Sequence, residues 1–397
     1  MSDKLKKAKN TSEAPLSELV NKERLVNLFS ELVSKDSPSF GERAVCDCLT
    51  AHLQKLGLSP HEDGCAAKTG GNCGNLYTFL PGTGETQHTP LLFCGHMDTV
   101  EPSRGKRAIV RPDGKITSAG DTVLGADDVS ALTAILEALH VLQEHKLPHR
   151  PLELLFTAAE EPYCAGIRPF DFEQLKSKEA YVLDLAGPVG SAATKAPTIL
   201  SFRAEFTGRA AHAGFAPEQG IHAIRAAGIA ITAIPCGHIS PDTTVNIGTV
   251  HGGTGDNIVP DHCVITGEIR SFSDEKASHV LAQITCIMEN AAAETSASVA
   301  VTSDRHCVAY ETAAESAVVR RFIKACHAEG ITPTLCSTCG GSDNNHLALH
   351  GIRGIVAANA MNNCHTCKEY SNVDELVRIT GIVLRLMTST DEPTEKI

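Results

Sequence analysis

Apolar and polar positions along the chain follow two periods. Ser17–Val33 and Glu42–Leu56 repeat their apolar residues at helical spacing, with a turn at Asp36–Ser39 between them. Short apolar runs at Asn75–Leu80 and Leu91–Cys94 predict strands. Asp127–Gln143 then places Leu132, Ile135, Leu136, Leu139 and Leu142 on one helix face, and strands at Leu152–Phe156 and Tyr181–Leu183 follow. Strands alternating with helices predict an α/β fold, a mainly parallel sheet sandwiched by helices.

From about Pro197 the order changes. Ile199–Phe206 reads as a strand, Glu218–Ile234 as a helix, Thr244–Val250 and His262–Ile269 as strands, Asp274–Ala293 as a helix and Ser298–Thr302 as a strand. This β-α-β-β-α-β order is that of a ferredoxin-like α+β unit. The helix Glu315–Glu329, the strand Ile352–Ala358 and the helix Asn372–Met387 return to the first pattern. The expected organisation is one domain of residues 1–196 and 311–397 that carries an inserted lid domain, 197–310.

Chemistry collects where the predicted strands end. Leu91–Cys94 leads into His96 and Asp98, Leu152–Phe156 into Glu160 and Glu161, Tyr181–Leu183 into Asp184, and the strand near Ile355–Ala358 into a loop bearing His365. Ligands of open α/β sheets bind beyond the carboxyl ends of the strands, so these residues are expected to converge on a metal. His96 and Asp98 face one side of an extended segment, which suits a His ligand oriented by a carboxylate. In the Glu160–Glu161 pair, one carboxylate can bind a metal while its neighbour moves a proton; alone, the pair reads equally as a solvated acidic loop. Asp127 is either a ligand or a helix N-cap, and Asp184 either a ligand or the start of a turn before Gly187-Pro188.

The composition narrows the class. The net charge is −12, from 35 basic and 47 acidic residues, which argues against nucleic acid or an anionic membrane as partner. No apolar stretch is long enough to span a bilayer, and the Lys-rich Met1–Asn10 lacks the apolar core of a secretory signal, so a cytoplasmic location is expected. The 15 cysteines are an odd number in a long chain, which favours reduced thiols over a disulfide framework.

Motifs spread over residues 20 to 390 carry a resemblance: Gly95-His-Met-Asp-Thr-Val100, Leu124-Gly-Ala-Asp-Asp128, Phe156-Thr-Ala-Ala-Glu-Glu161, Tyr181-Val-Leu-Asp184, Gly208-Arg-Ala-Ala-His-Ala-Gly214, Asn257-Ile-Val-Pro260, Glu268-Ile-Arg-Ser271, Gly340-Gly-Ser-Asp343 and His365-Thr366. Together they resemble the co-catalytic zinc exopeptidases of the peptidase T and carboxypeptidase G kind, most closely the peptidase T branch. The resemblance implies two divalent metal ions, zinc with cobalt or manganese as substitutes. It implies that His96 and Asp184 bind one ion, that Glu161 and His365 bind the other, and that Asp127 bridges them. Glu160 would be general base and acid, Asp98 would orient His96, His212 would stabilise the oxyanion, and Asn257 and Arg270 would grip a short peptide substrate. A homodimer through the inserted domain is a further expectation.

Some residues depart from the family pattern. Val129 stands where relatives often carry a cation, Pro162-Tyr163-Cys164 follows the Glu pair, and Asn344 replaces an alanine. Two Cys-x-x-Cys pairs, Cys336/Cys339 and Cys364/Cys367, offer a competing structural zinc site that would enclose His365. A milder expectation is that Cys94, Cys339 and Cys364 confer oxidant sensitivity on the active site. The expected activity is tripeptide aminopeptidase. A carboxypeptidase, dipeptidase or N-acyl amino acid amidohydrolase with the same metals is the alternative, ahead of an inactive peptide-binding protein, against which Glu160 argues.

Overall fold

Leu91–His96 and Leu152–Thr157 are buried at every position, because a strand covered on both faces needs apolar residues in succession. In this computed structural model, which describes residues 14–83 and 88–391, Met1–Asn10 lies outside the described residues. The chain divides into two compact units, one made of residues up to Thr194, Thr312–Cys336 and Ser342 onward, the other of Lys195–Glu311 and Ser337–Gly341.

The first unit is built on a mixed sheet with a parallel centre. Leu91–His96 lies parallel to Leu152–Thr157 on one side and to Glu179–Leu185 on the other, and Arg353–Ala358 extends the parallel set. Leu76–Leu80 and Ser191–Ala196 flank it antiparallel. The chain leaves Leu91–His96 to form one neighbour and later returns to form the other, so this strand is a topological switch point with a crevice at its carboxyl end.

Helix boundaries follow local capping. The expected Ser17–Val33 helix is a 3-10 turn, Leu16–Leu19, and a separate α-helix, Lys22–Val33, because the Asn21 side chain accepts from the Arg24 N–H and starts a new helix. The long Ala126–His145 helix is buried along most of its length, and its Glu137 receives the Asn21 N–H at 2.9 Å and the Arg24 guanidinium at 2.6 Å. A three-stranded sheet of Ala108–Val110, Lys115–Ser118 and Tyr370–Asn372, and a short helix Asp343–Leu349, do not emerge from the periodicity. Among the described residues, no helix is long and apolar enough to cross a membrane.

The second unit has an antiparallel sheet in the order Gly237–Ser240, Thr243–Gly252, His262–Ser271, Thr198–Thr207 and Ser298–Cys307. The last four strands have the ferredoxin-like arrangement; Gly237–Ser240 is an added edge. Leu200, Phe202, Ala204 and Phe206 alternate inward and pack with the helices Ala223–Ala233 and Asp274–Glu294. The expected helix at Glu218 begins instead at Ala223, after a 3-10 turn at Pro217–Gln219, because the His222 ring caps it by accepting from the Arg225 N–H.

Glu329 ties both chain ends of the first unit together. Its buried carboxylate accepts from Leu16 N–H at 2.8 Å, Ser17 N–H at 3.0 Å and Arg385 Nε at 2.8 Å. Burial alone would raise its pKa, but the bonds from Ser17 and Arg385 outweigh it and hold the group below the ordinary 4.5. A depressed folded pKa contributes stability that is present above 4.5 and lost as pH falls through the lower folded value. Glu329→Ala is therefore expected to lower stability by about 3 kcal/mol at neutral pH, with a penalty that shrinks on acidification. Urea unfolding at several pH values checks both parts.

Candidate active site

His96 ends the switch-point strand and is almost completely buried. Its Nδ1 lies 3.0 Å from the Asp98 main-chain oxygen and 3.4 Å from the Asp98 carboxylate. With the Nδ1 proton given to Asp98, the Nε2 lone pair faces Asp127 Oδ1 at 3.0 Å and Asp184 Oδ1 at 3.9 Å, as a ligating imidazole does. The other oxygen of Asp127 lies 3.2 Å from His365 Nε2, and the same nitrogen is 3.1 Å from Glu161 Oε2. One carboxylate thus divides its two oxygens between two imidazoles. His96, Asp127 and Asp184 form one group of donors within 4.8 Å of one another, and Asp127, Glu161 and His365 form a second.

These donors fit divalent ions. Burial raises the pKa of Asp184, and the nearby Asp127 raises it further. Glu160 is likewise pushed well above the carboxylate range by burial and then by Asp184. Asp127 is held low despite its burial because His365 and His96 both bond to it. Bonds to Asp127 and Glu161 push the His365 ring up to about 10. A concentration of buried carboxylates is unfavourable without a cation. Glu161 Oε1 is buried and has no hydrogen-bond partner, as a ligand oxygen would be without its ion.

The Glu160–Glu161 loop is held from behind. Asp98 Oδ1 accepts from the Glu160 N–H at 2.9 Å, while Oδ2 accepts from the Glu161 N–H at 3.1 Å and from the Ser39 hydroxyl at 2.7 Å. Asp98 therefore fixes the backbone of both glutamates as well as facing His96. Ala159, just before them, has φ 48°, and its N–H donates to Glu42 at 2.9 Å. Burial, then the charge of Asp98, pushes the Glu42 carboxyl up to about 7. His365 sits at φ 61° in a loop where Ala360 and Asn363 also have positive φ; such backbone persists only where surroundings impose it, and it collects at functional sites.

Several residues support the site, of which the sequence marked Asp128 as the partner of Asp127 in an acidic pair but gave no sign of Glu369 or Asn359. Asp128 accepts from the His96 N–H at 3.0 Å and from the Asn359 amide. A Cβ at Gly95 would lie 2.7 Å from Asp128 Oδ2, which explains the glycine before His96. Glu369 accepts from the Gly125 N–H at 2.6 Å and the Asp127 N–H at 2.9 Å. Asp343 accepts from Thr157 Oγ1 at 2.5 Å, and Cys164 Sγ lies 3.2 Å from Glu160 Oε1. Asp343 and Cys164 were visible only inside longer motifs. Asp127 is not the helix N-cap, which falls at Gly125; joined to Asp128 by a cis peptide bond, it turns its carboxylate to the His96 and His365 imidazoles.

His212, Asn257 and Arg270 belong to the second unit. His212 and Asn257 adjoin there, since Ala211–His212 pairs with Ile258–Val259 and the Ala213 N–H donates to the Asn257 oxygen at 2.9 Å. The His212 Nδ1 accepts from Gly214 and Phe215 N–H groups, so its Nε2 remains for another partner. Arg270 is held by Glu268 at 2.8 Å and donates to the Cys339 carbonyl at 2.9 Å.

One cysteine expectation changes. Among the described residues, the groups able to hold a metal include none of Cys336, Cys339, Cys364 and Cys367, and His365 faces Asp127 and Glu161. Burial, then Asp343, pushes the Cys94 thiol well up, and burial, then Asp127, does the same to Cys364.

Comparison with known proteins agrees with this geometry. Residues 195–296 match a model described as peptidase dimerisation domain, and residues 75–212 match one described as peptidase family M28. Aminopeptidase PepT from Bacillus cereus is 38% identical, with a TM-score of 0.86 over 93% of this chain and 99% of that one. The chain belongs to the PepT peptidase family. A tripeptidase from Staphylococcus aureus is 31% identical, with a TM-score of 0.89 over 93% of this chain and 98% of that one. A peptidase T from Listeria monocytogenes is 23% identical over 94% of this chain and 99% of its own. Membership makes this PepT-family chain a metal-dependent peptidase with an α/β catalytic fold and a dimerisation-type inserted domain.

Proposed function

We propose that this chain is a tripeptide aminopeptidase of the peptidase T kind that uses two zinc ions, cobalt or manganese being able to substitute. The observation that carries the two-ion reading is the division of the Asp127 oxygens between His96 and His365. His96, Asp184 and Asp127 would hold one ion, and Asp127, Glu161 and His365 the other. When bound, the ions supply Lewis acidity that polarises the scissile carbonyl and strengthens water as an acid. Glu160 takes the proton of the attacking water and returns it to the leaving amine, a task suited to a buried carboxyl whose pKa is raised. Asp98 keeps Glu160 and Glu161 in register by holding both main-chain N–H groups.

The substrate class is supported by the names of the relatives, an aminopeptidase and a tripeptidase. A panel of free, N-acetylated and C-amidated tripeptides tests it. Hydrolysis is expected to require the free amine and to tolerate loss of the carboxylate; the reverse pattern gives the carboxypeptidase reading.

From the second unit, we assign the oxyanion contact to His212 and substrate anchoring to Asn257 and Arg270. His212→Ala is expected to lower kcat by about 10²-fold, and Arg270→Ala to act mainly on KM. Steady-state kinetics separates these effects, and unchanged constants in either variant remove that residue from the assignment.

The dimerisation-domain match supports a homodimer through the second unit, checked by the mass in solution; a monomer at assay concentration overturns it. Exposed thiols such as Cys236, Cys286 and Cys336 support a reducing, cytoplasmic compartment, which fractionation of the native cells tests.

A further inference from the structure

Outside the catalytic centre, the helices Lys22–Val33 and Arg43–Lys55 bring together another set of soft and hard donors. Cys48 and His52 stand one helical turn apart, the i, i+4 spacing that puts two side chains on one face. Glu31 on the other helix meets both: its Oε2 lies 2.9 Å from His52 Nε2, and its Oε1 accepts from Cys48 Sγ at 3.6 Å. The three ligand atoms lie within 4.8 Å of one another. Tetrahedral zinc bonds of about 2.0–2.3 Å put donors roughly 3.3–3.8 Å apart, a span that the 2.9 Å and 3.6 Å separations made by Glu31 bracket.

We propose that Glu31, Cys48 and His52 form a separate binding site for a borderline-soft divalent cation such as zinc, clipping the two helices together. A thiolate, an imidazole and a carboxylate are each zinc ligands, and a solvent molecule completes the tetrahedron. Glu31 is half-exposed and His52 mostly buried, which leaves an entry path on the carboxylate side.

The surroundings tune the site in both directions. Lys35 and Lys55 act on Cys48 to favour its thiolate, while burial and Glu31 push the thiol up to about 11. Binding must therefore release the Cys48 proton to solvent as the sulfur–metal bond forms.

The alternative is a closed hydrogen-bond triad in which thiol and imidazole each satisfy one oxygen of Glu31. Titration of the full-length metal-free protein with cobalt(II) decides between them, because a sulfur ligand adds a near-ultraviolet charge-transfer band that the His and carboxylate donors assigned to the catalytic ions do not give. The band is expected in the native chain and absent in Cys48→Ser, with peptide hydrolysis retained in that variant as evidence that it folds. His52→Gln keeps the thiol and is expected to weaken cobalt binding at this band by about tenfold or more. A band of equal strength in native chain and Cys48→Ser, no band in the native chain, or a His52→Gln titration identical to native overturns the proposal.

Discussion

Replacing Glu160 with Gln is expected to lower turnover by about 10²–10⁴-fold, the usual contribution of a positioned general base, while metal content stays at the native level. The size follows from what the site leaves available. Asp127, Glu161, Asp184, His96 and His365 face one another in the two donor groups, whereas Glu160 lies outside both and beside Cys164 and Asp343. The other carboxylates of the assembled set are engaged elsewhere, Asp98 by the Glu160 and Glu161 N–H groups, Asp128 by the His96 N–H and the Asn359 amide, and Asp343 by the Thr157 hydroxyl, which leaves Glu160 to move the proton. Gln keeps the shape, and the backbone bond from Glu160 to Asp98 does not depend on the side chain. Peptide hydrolysis and metal analysis on the same sample test this. Activity within a fewfold of native would remove the base assignment, and loss of metal together with activity would turn Glu160 into a ligand.

Asp127→Asn is expected to have the other large effect, abolishing measurable hydrolysis through loss of metal. An amide has one acceptor oxygen and a donor NH2, so it cannot serve two electropositive partners as a carboxylate does. In the native chain the two oxygens face His96 and His365 separately. Removing the charge acts on both groups at once, which is why the loss should exceed that of Asp184→Asn, a change confined to one group. Weakened binding of both ions in a metal titration is the expected result. If only one ion is lost, Asp127 belongs to a single site.

The sequence made the donor residues visible because the hydrophobic runs preceding them are short and uninterrupted. Leu152–Phe156 must be apolar throughout to sit mid-sheet, so the abrupt arrival of Glu160–Glu161 stands out. Asp184 and His365 follow the same rule. Glu369, Asn359 and Glu42 carried no such mark. Glu369 reaches the Asp127 N–H across 242 residues, and Asn359 reaches Asp128 across 231. A polar residue whose partner is that distant has no local periodicity or spacing to betray it. Helix starts were misread for a related reason: Asn21 and His222 begin their helices by side-chain capping, which overrides the apolar repeat running through them.

By itself the sequence determined the layered α/β class, the inserted ferredoxin-like unit and the strand-end donors that the fold brings together, because periodicity and strand-end position are local properties of the chain. The tertiary structure decided how those residues divide their labour. It turned the two oxygens of Asp127 toward different imidazoles, aimed Asp98 at the backbone of both Glu160 and Glu161, and closed Glu31 over Cys48 and His52. Those are matters of direction and distance between side chains on separate elements, which become defined only when packing fixes the elements against one another.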